Sequence, residues 1–443
     1  MKLSGKNKLL LSFTLFSLFF GAGNLIFPPL LGQQAGSNAI WAFIGFLITA
    51  VLLPVLGVII VSKFGGLTNL GNKVGPKFAL IFTLLIYLSI GPGLRIPRAG
   101  SVPFEMAVSP YLPDGFNPKF FMVIYTLIFF AIVLWLCFNP GKLVKRIGTF
   151  LTPSLLTLIF VMFIVFLFKG RKAVSDPIKV YSSFSLLQGF VDGYKTMDTI
   201  AALNFGLVVV VTLNGFGISD KKSISKNTIF AGVVAGCILA SVYLMLTIIG
   251  TYSSGVYPPF ANGALILQAI MNDLLGGFGA FILAAIFTLA CLTTCVGLTN
   301  SISSYFSMKF KKLTYKQWVI IITIISFLIC NLGLNMILSI SEPILNAIYP
   351  VAIVLIILGL IDKLIVNNKY VYKLCIYSTT IISSIYALDQ IFELGFITKI
   401  LSFIPLYSQG FGWVIIFIIM FIISLIINAI LKRHQKNKII NSK

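Results

Sequence analysis

Asn24 stands behind two glycines in the middle of the first long hydrophobic run, in Phe20-Gly21-Ala22-Gly23-Asn24-Leu25-Ile26-Phe27-Pro28-Pro29. A run interrupted this way frees backbone N–H and C=O groups at mid-depth, and the ends of the two half-helices add partial charges there. In hydrocarbon, unwound chain survives only where protein buries it or where it lines a cavity. Such groups could hold a small zwitterion and a cation. The plainer alternative is a Gly/Pro kink that serves helix packing.

Three further polar groups lie inside hydrophobic runs. Lys195-Thr196-Met197-Asp198-Thr199 puts a carboxylate at the centre of one of them, where an Asp costs roughly 2.5–3.5 kcal/mol. Asp198 could bind a cation or a proton, work as a gate, or pair structurally with Lys195 or a neighbouring span. In Ala290-Cys291-Leu292-Thr293-Thr294-Cys295 the adjacent threonines could simply bond back to carbonyls one turn earlier. Beside the exposed carbonyls of a broken helix, the same two hydroxyls would complete an all-oxygen shell suited to a hard cation such as Na⁺. In Ser339-Ile340-Ser341-Glu342-Pro343, Glu342 could titrate, pair internally or sit at the outer rim in water. Cys291 and Cys295 share a helix face without a carboxylate or histidine nearby, and the single histidine, His434, falls in the tail. Zinc binding and histidine-based catalysis are therefore poorly supported. The six cysteines lie in or beside hydrophobic runs and do not read as a disulfide framework.

The elements that must position these groups follow from composition. Of the 443 residues, 58% are hydrophobic and only 10% charged, with mean hydropathy +1.03; soluble domains carry about a quarter charged residues. The chain reads as an all-α polytopic membrane protein. Apolar spans are expected near 9–35, 38–62, 78–94, 120–138, 148–168, 190–216, 227–250, 278–306, 317–334, 336–361, 374–390 and 411–431, twelve in total. The first resembles a signal peptide at its start, but its apolar stretch continues past the glycines and it is read as a retained helix.

The net charge of +22 is distributed as topology. Lys2, Lys6 and Lys8; Lys63, Lys73 and Lys77; Lys142, Lys145 and Arg146; Lys221, Lys222 and Lys226; Lys309, Lys311, Lys312 and Lys316; Lys363, Lys369 and Lys373; and the tail from Lys432 to Lys443 all fall on one side of the membrane. That bias places both termini in the cytoplasm. No loop has the size or the stacking aromatics of a nucleic-acid module. The longest stretches outside the spans, 95–119, 169–189 and 251–277, are assigned to the outer face. The last is amphipathic, with two short helices possible around Ala264–Met271, and could serve as a lid or as a connector.

Interruptions recur five spans apart. Span one breaks at Gly21–Asn24, and span six carries Thr196–Thr199 and then Asn204-Phe205-Gly206. An inverted repeat of five plus five helices would produce this, because an odd number of spans flips the second copy. Residues 1–361 would then form the core, and 362–443 two peripheral spans with a basic tail.

The segment Phe20–Pro29, followed by Gly32-Gln33-Gln34-Ala35-Gly36, resembles the opening of the branched-chain amino acid:cation symporter family, bacterial carriers for leucine, isoleucine and valine. Gly193–Thr199 and Leu289–Thr294 are similar to spans six and eight of that family. The resemblance implies the fold of the bacterial leucine transporter, with helices one and six broken, in a bacterial cytoplasmic membrane. It also implies that Gly21, Ala22, Gly23 and Asn24 hold the substrate carboxylate, with Thr199, Ala202 and Phe205 near its amino group and side chain. Ser17, Phe20, Ala290, Thr293 and Thr294 would bind a co-transported Na⁺. At the fold's second sodium site only Asn24 matches, and its partner from span seven is not identifiable. No enzymatic role or further cofactor is implied. The alternatives are a proton-coupled symporter of the same fold using Asp198 or Glu342 and, with less support, a channel.

Overall fold

The computed structural model describes residues 3–113, 115, 117–138, 147–178, 180–365, 368–392 and 395–441, and these are helical or irregular with no strand among them. In chain order the α-helices are α1 (Gly5–Phe19), α2 (Ala22–Ala35), α3 (Ala39–Leu47), α4 (Leu53–Phe64), α5 (Leu67–Gly71), α6 (Pro76–Leu88), α7 (Arg95–Ala107), α8 (Pro118–Cys137), α9 (Thr152–Lys169) and α10 (Tyr181–Asp192). There follow α11 (Asp198–Gly215), α12 (Lys221–Ser253), α13 (Gly263–Leu275), α14 (Gly277–Lys309), α15 (Tyr315–Cys330), α16 (Leu334–Leu360), α17 (Asn368–Phe392), α18 (Phe396–Leu401) and α19 (Gly412–Asn441). Nine helical segments among the described residues are long and apolar enough to cross a membrane, and 263–275, 315–330 and 412–428 are shorter apolar helices. Of the expected cytoplasmic cations, Lys2, Lys142, Lys145, Arg146 and Lys443 lie outside the described residues.

Two compact units form. One holds Met1–Lys63 with Ile86–Ser341, and the other Phe64–Leu85 with Glu342–Lys443. In the second, α17 and α19 pack together, and Asp362 pairs with Lys73 at 3.1 Å and accepts from the Tyr372 hydroxyl. The first unit carries the groups singled out above.

Its helices approach closely through glycines that face each other in pairs. Where α2 crosses α12, Gly32 abuts the Thr247 carbonyl and Gly250 abuts the Pro29 carbonyl; where α3 crosses α10, Gly45 and Gly189 face the Leu186 and Ala42 carbonyls. Burying apolar area gives no advantage inside lipid, so association rests on this kind of backbone-to-backbone contact. A Cβ at Gly250 would sit 2.8 Å from Pro29 Cα. Gly250→Ala should therefore lower stability by about 1–3 kcal/mol despite alanine's better helix propensity. Gly5→Ala, with open space around it, should leave the unfolding temperature in detergent unchanged or raised.

The structure departs from the sequence reading in four places. Residues 95–107, assigned to the outer face, form α7 with Arg95 and Arg98 each only 2% exposed. The turn before it explains the entry: Pro92 contributes no N–H, Gly91 leaves helical geometry, and the Leu94 N–H reaches back five residues to Ser89. Part of 169–189 is likewise helical, as α10. Asn204-Phe205-Gly206 does not interrupt its span, because α11 runs unbroken from Asp198 to Gly215 and Gly206 packs on Val58 and Val61. Segment 251–277 contains one helix, α13, and not two.

The linker into α13 is tied to α2. Gln33 donates to the Pro258 carbonyl and accepts from the Phe260 N–H, both at 3.1 Å. Asn262 caps α13, and Gly263 sits against the Ile26 carbonyl. Tyr257 donates to Asp273 at 2.9 Å, and burial together with that carboxylate pushes its hydroxyl up to about 12.

Candidate functional site

The break in span one falls at Phe20–Gly21, slightly earlier than expected. Phe20 and Gly21 are extended, and Ala22–Asn24 already form the first turn of α2. The opening N–H groups of α2 have no carbonyl one turn earlier within their own helix. Asn24 closes the turn by accepting from the Gly21 N–H at 2.9 Å. The break in span six falls at Met197, a non-glycine residue at φ 65°, fully buried, between a 3₁₀ turn over Gly193–Thr196 and α11. Left-handed backbone costs such a residue about 1–2 kcal/mol.

The two breaks meet through side chains. Asn24 donates to Asp198 Oδ2 at 2.6 Å and contacts the Tyr243 hydroxyl, which itself donates to Asp198 Oδ2 at 2.8 Å. Tyr243, on α12, is the span-seven residue that meets Asn24, a contact the sequence reading did not identify. A tyrosine in a hydrophobic run carries no special signal until its neighbours are known.

Two arginines from α7 complete the junction. Arg95 Nη2 donates to the Phe19 carbonyl and lies 2.9 Å from Asp198 Oδ1. Arg98 donates to the carbonyls of Lys195 at 2.7 Å and Thr196 at 3.4 Å, with its guanidinium over the Phe27 ring. One turn apart on a single helix, they sit at the C-terminal ends of the two leading half-helices, where exposed carbonyls favour cations. The role of structural partner to Asp198 therefore belongs to Arg95, and Lys195 pairs instead with Asp192 at 3.0 Å. Arg95, Arg98 and Asp198 together leave one positive charge in excess. Gly23 lacks a side chain where Arg98 Nη2 would lie 2.6 Å from its Cβ.

A second cluster gathers on the other side of the Phe20–Gly21 break. The Thr294 hydroxyl donates to the carbonyls of Phe20 at 2.8 Å and Ser17 at 3.2 Å. Next to it on α14, Thr293 bonds back to the Ala290 carbonyl at 3.0 Å, and the Ser17 hydroxyl meets Thr152 at 2.6 Å. Gly21 makes this approach possible, since its Cβ would stand 2.9 Å from Thr294 Oγ1. The chain thus brings the Ser17 and Phe20 carbonyls and the Thr294 hydroxyl together, with Thr293 buried beside Thr294 and bonded within its own helix.

The remaining candidates divide. Ala22, Ala202 and Phe205 are buried at the breaks, with Phe205 edge-on to Phe19 at 5.2 Å. The Thr199 hydroxyl donates to the Thr49 carbonyl at 2.7 Å, a bond between helices. Glu342 is exposed and belongs to the second unit.

A family model described as branched-chain amino acid transport protein matches residues 4–431. Branched-chain amino acid permease BraB of Bacillus subtilis is 41% identical over 413 residues, covering 93% of each chain. The branched-chain amino acid transport system 2 carrier protein of Pseudomonas aeruginosa is 38% identical over 414 residues, covering 93% of this chain and 94% of the relative. Among solved structures, the nucleobase-cation-symport-1 family transporter Mhp1 with bound bromovinylhydantoin aligns at TM-score 0.60 and 14% identity, covering 94% of this chain and 91% of that one. MhsT in complex with L-phenylalanine aligns at TM-score 0.56 and 16% identity, covering 86% and 98%. At such identities the likeness shows the fold.

Proposed function

We propose that this chain, which belongs to the branched-chain amino acid transport protein family, imports leucine, isoleucine or valine together with Na⁺ across a bacterial cytoplasmic membrane. The observation that carries the reading is the Phe20–Gly21 break, with the N-terminal end of α2, its first turn closed by Asn24, on one side and the Thr294 oxygen cluster on the other. A substrate carboxylate on Gly21–Asn24 and a cation among Ser17, Phe20, Ala290, Thr293 and Thr294 would each satisfy groups the broken helix leaves exposed. The excess positive charge of the junction favours the carboxylate, and Ala202 with Phe205 supplies an apolar wall for the branched side chain. Thr199 holds span six against span two. Alternating access then proceeds by rocking of a core of two inverted five-helix repeats within residues 1–361. Spans eleven and twelve within 362–443 are peripheral, and both termini are cytoplasmic.

One Na⁺ crossing about 100 mV releases about 2.3 kcal/mol, enough for roughly 40-fold accumulation at about 1.4 kcal/mol per tenfold. In the proton-driven alternative Asp198 or Glu342 titrates. The engagement of Asp198 supports Na⁺ over that alternative, because Arg95 holds one of its oxygens and Asn24 and Tyr243 donate to the other. The test is radiolabelled leucine uptake into proteoliposomes under separately imposed sodium and proton gradients. Sodium-driven accumulation supports the reading. Proton-driven accumulation abolished by Asp198→Asn or Glu342→Gln replaces it.

A further inference from the structure

We infer that Arg95 is a built-in cation, standing where a second transported ion would otherwise bind at the junction of spans one and six and receiving the substrate's carboxylate there. The junction gathers oxygens from three segments: the Phe19 carbonyl, both oxygens of Asp198 and the Tyr243 hydroxyl. Oxygens from several segments around a carboxylate are the surroundings a hard cation takes. Here the guanidinium takes two of them, with Nη2 against both the Phe19 carbonyl and Asp198 Oδ1, while Asn24 and Tyr243 donate to Oδ2. A guanidinium stays charged in proteins, so Asp198 is neutralised in every state that keeps this pair. A second Na⁺ would then bring uncompensated charge into a buried site.

The same side chain has capacity to spare. Arg95 Nη1 is buried and has no hydrogen-bond partner among the described residues, although a buried donor left unsatisfied is costly. It belongs to the planar fork whose other arm lies on the carbonyl that ends α1, next to the break where α2 presents its first N–H groups. A carboxylate entering that break pairs with Nη1 in a charge-assisted bond. Arg95 and Arg98 would then face two carboxylates, that of Asp198 and that of the zwitterionic substrate. This step rests on the reading that an amino acid's carboxylate binds at Gly21–Asn24; the charge count does not depend on which ion is carried.

The experiment measures charge moved per leucine in proteoliposomes, from the membrane potential that stops net flux against set leucine and ion gradients. One charge per leucine is expected, and two would overturn the inference. If protons prove to be the driving ion with one charge per leucine, the sodium reading fails while the built-in cation stands. Arg95→Ala opens the oxygen shell. Its sodium activation curve should steepen from hyperbolic towards second order, and its leucine KM should rise about tenfold or more. Arg95→Lys, which keeps the charge, should stay hyperbolic. An unchanged sodium curve and leucine KM in Arg95→Ala would overturn the inference. Should that variant fail to fold, the charge count of the wild type and the curve of Arg95→Lys decide the question, and a second-order curve in the lysine variant counts against it.

Discussion

Asp198→Ala should abolish leucine uptake and destabilise the protein by about 3–5 kcal/mol, the cost of stripping one partner from a buried ion pair. The Arg95 and Asp198 side chains are 3% and 0% exposed and 2.9 Å apart, so water cannot replace the missing carboxylate. Asn24 and Tyr243 lose an acceptor in the same step, at about 1–3 kcal/mol for each buried group left unsatisfied. Asp198→Asn preserves shape and one acceptor oxygen and should fall between wild type and alanine in thermal unfolding. The paired substitution Arg95→Met with Asp198→Leu separates the two effects. It should recover much of the stability, because apolar replacements for a buried pair are often neutral or better, and it should not recover uptake. Wild-type unfolding temperature and uptake in Asp198→Ala would sink the assignment.

What the sequence revealed of this site and what it hid divide along a physical line. The broken helices were legible because glycine next to a polar residue in an apolar run is a local anomaly, readable without knowing what packs against it. Asp198 stood out for the same reason, since a lone carboxylate in hydrocarbon demands an explanation. Its partners did not. Arg95 and Arg98 follow Gly91-Pro92-Gly93-Leu94, and hydropathy alone ends a span there and assigns the arginines to water. Only the bulged turn at Ser89–Gly93 carries the chain onward into α7 and turns both guanidinium groups inward. Their spacing of three residues was the available sign, as it puts two cations on one face of any helix that forms. Asn204-Phe205-Gly206 shows the converse error. A glycine read as a break is instead a close-packing contact on Val58 and Val61, and composition cannot tell the two uses apart. Thr199 likewise carries the same hydroxyl whether it faces a ligand or, as here, the Thr49 carbonyl.

Thr294→Val should weaken the sodium dependence of uptake by about 10- to 100-fold, the range for losing one bond of 1.5–3 kcal/mol to a charged group. Valine keeps the branched shape beside Gly21 and removes only the hydroxyl that joins the Ser17 and Phe20 carbonyls. The effect should therefore fall on the ion and not on folding. Thr294→Ser, which retains the oxygen, should recover most of the affinity. Thr293→Ala should cost less, because its hydroxyl already bonds to the Ala290 carbonyl within the same helix turn, and pulling it towards an ion forfeits that bond. The double alanine variant should lose the most, but by less than the sum of the two, since the ligands of one ion act as a unit. Sodium activation curves at fixed leucine distinguish these outcomes. A double variant with wild-type sodium dependence would remove the ion from this cluster and leave the hydroxyls as links between α14 and the broken end of α1. Gly21→Ala offers an independent check from the opposite wall. Its Cβ would press on Thr294 Oγ1 at 2.9 Å, so it should impair sodium activation while leaving both threonine hydroxyls in the chain.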